Sequence, residues 1–128
     1  MKVLIALPTY NEAENLPLIA QRLLDLPVRD VHLLIIDDNS PDGTGAIADS
    51  LAAKHPDRIQ VLHRPRKMGL GTAYVAGFTL ALEQGFDAAV EMDSDFSHPI
   101  DVLPKMISLV ATGKADVVVG SRYVAGGK

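Results

Sequence analysis

Short apolar runs alternate with stretches of helical periodicity along the chain, and this alternation restricts the possible folds more than any other feature. The runs have the length of strands, are rich in β-branched residues, and span residues 3–7, 31–36, 59–62, 88–92 and 117–119. Several of them are apolar at consecutive positions, so a strand built from them would be apolar on both faces. Such strands are typical of a parallel sheet that helices cover on both sides.

The stretches between the runs carry an apolar residue every three or four positions, which predicts amphipathic helices. The four stripes consist of Leu16, Ile19, Ala20, Leu23 and Leu24; Ile47 and Leu51; Leu70, Ala73, Tyr74, Gly77, Phe78, Ala81 and Leu82; and Leu103, Met106, Ile107, Val110 and Ala111. Pro17 and Pro104 fall in predicted first turns, and Gly85 and Gly113 at predicted carboxyl ends. The element order β-α-β-α-β-α-β-α-β predicts one α/β domain: a three-layer α/β/α arrangement with a mostly parallel, open sheet.

Composition excludes several classes of protein. With 48% hydrophobic and 22% charged residues over 128 positions, the chain is globular rather than disordered. Its formal net charge of −4 argues against nucleic-acid binding, and its lack of cysteine excludes a disulfide scaffold or a thiolate metal site. No run approaches the roughly 18 apolar residues of a membrane span, and the first run is too short for a signal peptide. We therefore expect a cytoplasmic protein.

The unusual polar residues all follow predicted strands. They occupy residues 8–12, 37–44, 64–71, 93–99 and 120–123, one group after each strand. In open parallel sheets, ligands bind outside the carboxyl ends of the strands, where these loops meet. The sequence thus predicts a polar ligand site at one edge of the sheet.

Asp93 and Asp95 are the strongest candidates for a chemical role among these residues. Two carboxylates separated by one residue, directly after a buried strand, can both bind Mg²⁺ or Mn²⁺, which prefer oxygen ligands and keep coordination positions for substrate phosphates. The alternative is that Asp95 caps the next helix while Asp93 is a solvated turn residue. His98 lies in the same loop, where it either shapes the loop or ligates the metal.

The group after the second strand begins with Asp37, at the end of an entirely apolar run. Its carboxylate could accept a hydrogen bond from the N–H edge of a nucleobase, or it could serve only the turn that follows, because residues 40–43 have turn chemistry. Asp38 is interpreted as structural. Arg122 could bind a phosphate oxygen or pair with a surface carboxylate.

Gly69 and Gly71 do not form a dinucleotide-binding fingerprint. They follow the third strand rather than the first, and Tyr74 occupies the position of the last small residue of that motif. A phosphate-binding loop of the P-loop type is also absent from the sequence. The predicted helix that begins near Gly71 could still help to hold an anion.

Together, LPTYNE, IDDNSPDGT, RPRKMGLGTAY, MDSDFSHP and GSRYVAGG, in this order and spacing, resemble the family-2 glycosyltransferases of the GT-A fold. Within that family the chain is most similar to polyprenyl- or dolichyl-phosphate mannose synthases. The resemblance covers essentially the whole chain and implies the Rossmann-like, nucleotide-binding half of a GT-A fold. Related catalytic domains continue further, so we expect residues 1–128 to be a donor-binding domain truncated at its carboxyl end.

The resemblance also implies roles for particular residues. It places Pro8, Tyr10, Glu12, Asp37, Asp93, Ser94, Asp95 and Arg122 in the donor site, Asp93, Asp95 and Ser97 on the metal, and Asp95 in the catalytic role. Ser94 stands where alanine is usual, and its small side chain is compatible with a contact through the backbone. Ser97 stands where relatives have either a serine or a metal-binding glutamine. The cofactor implied is Mg²⁺ or Mn²⁺.

The implied reaction transfers mannose from GDP-mannose to a polyprenyl (dolichyl-type) phosphate with inversion at the anomeric carbon. The acceptor phosphate is already anionic near neutral pH, so the reaction needs no strong general base. Two alternatives stay open: another family-2 transferase that uses UDP-glucose or a different nucleotide sugar, and a non-catalytic nucleotide-binding fragment. This chain alone is expected to transfer mannose slowly or not at all. It would meet the cytoplasmic face of a membrane only through missing carboxyl-terminal parts or a partner subunit.

Overall fold

The structure is a computed structural model and describes residues 2–28, 30–92 and 104. Within these residues, strands and helices alternate strictly. In chain order the elements are β1 (Val3–Thr9), α1 (Leu16–Leu24), β2 (Val31–Asp37), α2 (Thr44–Lys54), β3 (Ile59–His63), α3 (Leu70–Glu83) and β4 (Ala88–Glu91).

The described strands form one parallel sheet in the order β3-β2-β1-β4. β1 lies inside this sheet, and Val3 is the register partner of both Val31 in β2 and Ala88 in β4. The chain moves outward from β1 through β2 to β3 and then crosses to the other side of β1. This reversal of strand order creates the kind of crevice at which open α/β sheets bind ligands.

Both faces of the sheet are covered, as the apolar runs predict. Crossovers between parallel strands are right-handed, so the reversal of direction after β3 places α3 on the face opposite to α1 and α2. Along β1, Val3, Ile5 and Leu7 belong to the core shared with α1 and α2, whereas Leu4 and Ala6 belong to the core shared with α3. All five side chains are at most 1% exposed.

The elements predicted from periodicity are confirmed up to residue 92, with small differences at their ends. β4 ends at Glu91 rather than at residue 92. Pro17 lies in the first turn of α1, as predicted. The predicted fourth helix and fifth strand lie outside the described residues, except for the helical Pro104. No helix in residues 2–28, 30–92 and 104 is long and apolar enough to cross a membrane.

The carboxyl end of α3 depends on Gly85, which adopts a left-handed backbone with φ of 72°. The Phe86 N–H donates to the Ala81 carbonyl at 2.9 Å, and the Gly85 N–H donates to the Leu82 carbonyl at 3.3 Å. These two bonds form a Schellman motif, which satisfies carbonyls that the helix itself leaves unpaired. The cap predicted for this glycine is confirmed.

Gly77 sets the distance between α3 and the sheet. A Cβ atom built on Gly77 would lie 2.9 Å from the Cβ of Ala6 in β1, which is closer than packed carbon atoms tolerate. The absence of a side chain at this position therefore lets α3 lie directly on β1. Gly71, in the first turn of the same helix, has no atom within 4 Å of its corresponding position.

We expect Gly77→Ala to lower the free energy of unfolding by about 1–3 kcal/mol, because overpacking at the helix–sheet contact outweighs the gain in helix propensity. Gly71→Ala is the matched control in α3 and should leave stability unchanged or raise it by up to about 1 kcal/mol. Urea unfolding monitored by circular dichroism measures both. Equal effects of the two substitutions would show that the close approach of α3 to β1 is unimportant.

Candidate functional site

The loops after β1 and β2 lie side by side at the carboxyl edge of the sheet. The reason is the register of the two strands, which pairs Thr9 with Asp37. The Thr9 hydroxyl lies 3.0 Å from the Ile36 carbonyl and 3.2 Å from Oδ1 of Asp37. The last residues of β1 and β2 thus begin a polar network directly above the apolar core.

Asp37 is a buried carboxylate, 2% exposed, whose two oxygens have different surroundings. Oδ1 accepts a 2.6 Å hydrogen bond from the Ser40 hydroxyl in addition to the contact with Thr9. Oδ2 accepts a longer bond, 3.3 Å, from the Ser40 N–H and faces the first turn of α2. There a Cβ atom on Gly45 would lie 2.8 Å from Oδ2, so only glycine leaves the carboxylate this space.

Side chains of the β2–α2 loop and of the first residue of α2 hold the β1–α1 loop through three consecutive N–H groups. The bonds are Asn11 N–H to Ser40 Oγ at 3.0 Å, Glu12 N–H to Thr44 Oγ1 at 3.0 Å, and Ala13 N–H to Asp42 Oδ2 at 3.1 Å. Because side chains satisfy these donors, the loop keeps one shape without belonging to a helix or strand. We call these three contacts the loop clamp.

Asp42 and Thr44 reinforce the loop clamp where the β2–α2 loop meets α2. The Thr44 hydroxyl and the Thr44 N–H both donate to Oδ1 of Asp42. The hydroxyl bond is the main reason that the pKa of Asp42 lies below its ordinary value, and the N–H groups of Ala13 and Thr44 lower it further. Asp42 is therefore ionised throughout the neutral range and keeps its acceptor role in the clamp.

Two asparagines shape the turns that bring these groups together. Asn11 and Asn39 have φ values of 57° and 56°, in the left-handed region. Asparagine tolerates this region better than other residues with a side chain, because its amide can bond locally. The two turns are thus encoded by residue type as well as by the surrounding contacts.

A second carboxylate, Asp38, forms a buried ion pair with Arg64 from the end of β3. Nε and Nη2 of Arg64 donate to the two oxygens of Asp38 at 2.6 and 2.8 Å, and Nη1 donates to the Thr72 hydroxyl at 3.0 Å. The two charged side chains are only about 10% exposed, and the Asp38 carboxylate raises the pKa of the guanidinium. Arg64 thereby joins β2 to the first turn of α3, which is the structural role expected for Asp38.

Tyr10 lies at the rim of the site with 38% of its surface exposed. The ammonium of Lys67, in the loop between β3 and α3, lies 4.9 Å from the centre of the Tyr10 ring. This is a cation–π distance, and it places a positive charge against the exposed ring of Tyr10. Pro8 precedes these residues in β1, and the carboxylate of Glu12 accepts a 3.2 Å bond from the Asn15 amide.

Glu91 is a buried carboxyl group that the sequence analysis did not single out. It pairs in register with Ala6, is 4% exposed, and lies at the end of β4. Burial removes the hydration of its charged form and raises its pKa to about 7. The signal in the sequence was an acidic residue inside the otherwise apolar run 88–92.

The structure thus brings together four of the predicted donor-site residues, Pro8, Tyr10, Glu12 and Asp37, at the ends of β1 and β2. The other predicted site residues, namely Asp93, Ser94, Asp95, Ser97 and Arg122, lie outside the described residues. In the described part of the chain, no three side chains of metal-binding type form a cluster. Sequence reasoning missed the roles of Thr9, Ser40, Thr44 and Arg64, because short polar residues near turns have ordinary explanations.

We expect Arg64→Met to lower the free energy of unfolding by about 3 kcal/mol, because it leaves the buried Asp38 carboxylate without a partner. Arg66→Met, an exposed arginine two residues later, is the control and should change stability by less than about 0.5 kcal/mol. Combining Arg64→Met with Asp38→Asn should recover part of the loss. Similar losses for the two arginine substitutions in urea unfolding would exclude a structural role for the ion pair.

The sequence and the fold of this chain are similar to those of known proteins. Residues 4–128 match the glycosyl transferase family 2. The polyprenol monophosphomannose synthase of Mycolicibacterium smegmatis is 52% identical over 98% of this chain and 47% of its own length. The undecaprenyl-phosphate mannosyltransferase of Micrococcus luteus is 54% identical over 100% of this chain and 51% of its own. The chain therefore spans about half the length of these relatives.

Among solved structures, a mannosyltransferase from Pyrobaculum calidifontis in complex with GDP-mannose and Mn²⁺ has a TM-score of 0.69 to this chain. The match covers 86% of this chain and 32% of that one at 24% identity, so it bears on the fold alone. It confirms the α/β architecture of GT-A glycosyltransferases. Because the family match extends over nearly the whole sequence, the chain belongs to glycosyl transferase family 2.

Proposed function

We propose that this chain binds the donor in a transferase that moves mannose from GDP-mannose to a polyprenyl phosphate. The observation that carries the proposal is the buried Asp37 carboxylate, which is held at the carboxyl edge of the sheet beside the loop that bears Tyr10 and Glu12. A carboxylate in this position accepts hydrogen bonds and rejects anions, so it suits the N–H edge of a base better than a phosphate. The names of the relatives, a polyprenol monophosphomannose synthase and an undecaprenyl-phosphate mannosyltransferase, support a polyprenyl phosphate acceptor. The fold shared with the Pyrobaculum enzyme, which was solved with GDP-mannose, motivates the choice of donor.

The base would lie between Asp37 and the Tyr10 ring. Guanine presents N–H donors to an acceptor such as Oδ2 of Asp37, and an exposed aromatic ring gives any base a stacking surface. Lys67, which lies over the ring, adds positive charge where the donor's phosphates would begin. Pro8 and Glu12 complete this side of the proposed pocket.

The diphosphate would bind across β1 to the loop after β4. The Met92 N–H donates to the Ala6 carbonyl at 3.2 Å, so the chain leaves β4 at the same edge of the sheet as the Asp37 network. The residues that follow, Asp93, Asp95 and Ser97, offer the hard oxygen ligands that suit Mg²⁺ or Mn²⁺. When bound, the metal would stabilise the charge of the departing diphosphate. Ser94 would contact the donor through its backbone, and Arg122 would bind donor phosphates.

In the proposed reaction, a phosphate oxygen of the acceptor attacks the anomeric carbon as the bond to GDP breaks, which inverts the configuration. The attacking group is already anionic near neutral pH, so the protein's contribution is alignment of the two substrates and a fixed electrostatic environment. The loop clamp supplies part of that rigidity, because it holds the side of the pocket formed by the β1–α1 loop. Asp95 is the residue we assign to the reacting end of the donor.

Metal dependence tests the assignment of the diphosphate site. In calorimetric titrations, GDP should bind more tightly with Mn²⁺ than with EDTA, and Asp95→Asn should abolish most of this gain because one of two charged ligands is lost. Asp57→Asn, at an exposed position before β3, is the control and should keep the full gain. Equal GDP affinity with and without metal in the unmodified protein would contradict the proposed site.

Base recognition tests the role of Asp37. Asp37→Ala should weaken GDP binding by about 1–3 kcal/mol, the usual cost of losing a hydrogen bond to a charged group, and should reduce the preference for GDP over UDP and ADP. Asp57→Ala again serves as control. A preference for UDP in the unmodified protein would favour the alternative of a UDP-sugar transferase. An unchanged affinity and preference in folded Asp37→Ala would reduce Asp37 to a turn residue.

A further inference from the structure

We propose that Ser40 is a positioning residue that determines which base the site accepts, by orienting the Asp37 carboxylate and the Tyr10 loop with one hydroxyl group. This inference rests on the proposed function, because it concerns the same donor site. Ser40 is not part of the donor site that the sequence predicts, where residues 40–43 suggest no more than a turn. The proposal follows from contacts that cross between the two loops.

The first observation is that the Ser40 hydroxyl uses both of its hydrogen-bonding functions. It donates its proton to Oδ1 of Asp37 at 2.6 Å and accepts the N–H of Asn11 at 3.0 Å. Asn11 directly follows Tyr10, so the same oxygen contacts the carboxylate and the backbone next to the aromatic ring. Few other groups can replace it, because the position requires a donor and an acceptor on one small atom.

The second observation is that the Asp37 carboxylate has one orientation enforced from three directions. Thr9 and the Ser40 hydroxyl both contact Oδ1, and the Ser40 N–H contacts Oδ2 at 3.3 Å. Gly45 bounds the remaining side, since its missing Cβ would lie 2.8 Å from Oδ2. Oδ1 accepts the short bond from the Ser40 hydroxyl and lies near the Thr9 hydroxyl, whose single proton is shared with the Ile36 carbonyl. Among the described contacts Oδ2 accepts only the longer bond from the Ser40 N–H, so we assign Oδ2 as the oxygen that would accept a donor on the base.

From these two observations we expect that loss of the Ser40 hydroxyl lowers the preference for one base over another more than it lowers the affinity for nucleotides in general. Without the Ser40 hydroxyl, Asp37 would remain in place, but its carboxylate could rotate and present either oxygen. A carboxylate that can rotate binds different bases with almost equal affinity. A carboxylate with a fixed orientation distinguishes the bases by the positions of their N–H groups. The proposed contacts to the diphosphate and the metal involve other residues, so we expect them to be unaffected.

The test measures the affinities of GDP, IDP and UDP, each with Mn²⁺, by calorimetry. IDP differs from GDP only by the amino group on the base, and UDP replaces the base entirely. In Ser40→Ala the preference for GDP over UDP should fall roughly fivefold to twentyfold, which is less than the full loss of a hydrogen bond to a charged group because Asp37 itself remains, and the preference over IDP should also decrease. Ser40→Thr keeps the hydroxyl and should restore most of the preference.

Two further variants separate positioning from simple destabilisation. Thr44→Val removes another hydroxyl of the loop clamp that does not contact Asp37. It should weaken all three nucleotides alike and leave their ratios unchanged. Gly45→Ala leaves Ser40 intact, raises helix propensity, and displaces Oδ2 from the opposite side, so it should reduce the preference for GDP as Ser40→Ala does.

The outcomes distinguish this inference from the proposed function. If the unmodified protein does not bind GDP, the proposed function itself fails. If it binds and prefers GDP but Ser40→Ala and Gly45→Ala keep the ratios of the unmodified protein, the positioning role is wrong while the function stands. If Asp37→Ala abolishes the effect of adding Ser40→Ala, Ser40 acts through Asp37 as proposed; an additive effect on the ratios would overturn that route.

Discussion

The parallel pairing of β1 with β2 in a register that sets Thr9 beside Asp37 is the constraint on which the candidate site depends. The pairing is stabilised by side chains that are buried on both faces of the sheet, so a shift by one residue would exchange the residues facing α3 with those facing α1 and α2. With the register set, the loops after the two strands start at the same height. Only then can Ser40, Asp42 and Thr44 reach three consecutive N–H groups of the neighbouring loop.

Acidic groups crowd this edge of the sheet, and each is accommodated in a different way. Asp38 is neutralised by a bidentate arginine, and Asp37 is held by hydroxyl and N–H donors without a cation among the contacts described. Burial of Glu91 raises the pKa of its carboxyl group to about 7. Burying carboxylates costs free energy, so their concentration at one edge is more readily explained by ligand binding than by stability.

The architecture could be predicted largely from the sequence, because it depends on periodicities that are local. Apolar runs and three-to-four spacings gave the order of the elements up to β4, and the placement of polar residues after strands indicated the edge where the site lies. Asp37 and Tyr10 could be predicted as donor-site residues because their residue types at a strand end are unusual or fit the family pattern. The contribution of Ser40 could not be found this way, because a serine before proline in a turn is common, and its partners depend on which loop becomes its neighbour.

The sequence by itself determined the fold class, the family, and the residue types available at the carboxyl edge of the sheet. The tertiary structure decided that Asp38 pairs with Arg64, which lies 26 positions further along the chain, and that the adjacent Asp37 faces α2 beside Gly45. It also decided that β4 lies next to β1, and that Gly77 must lack a side chain where α3 crosses that strand. These choices depend on the strand order and on distances of a few ångströms between segments far apart in the chain. Local residue patterns do not specify such distances, because the same pattern is compatible with several different neighbouring segments.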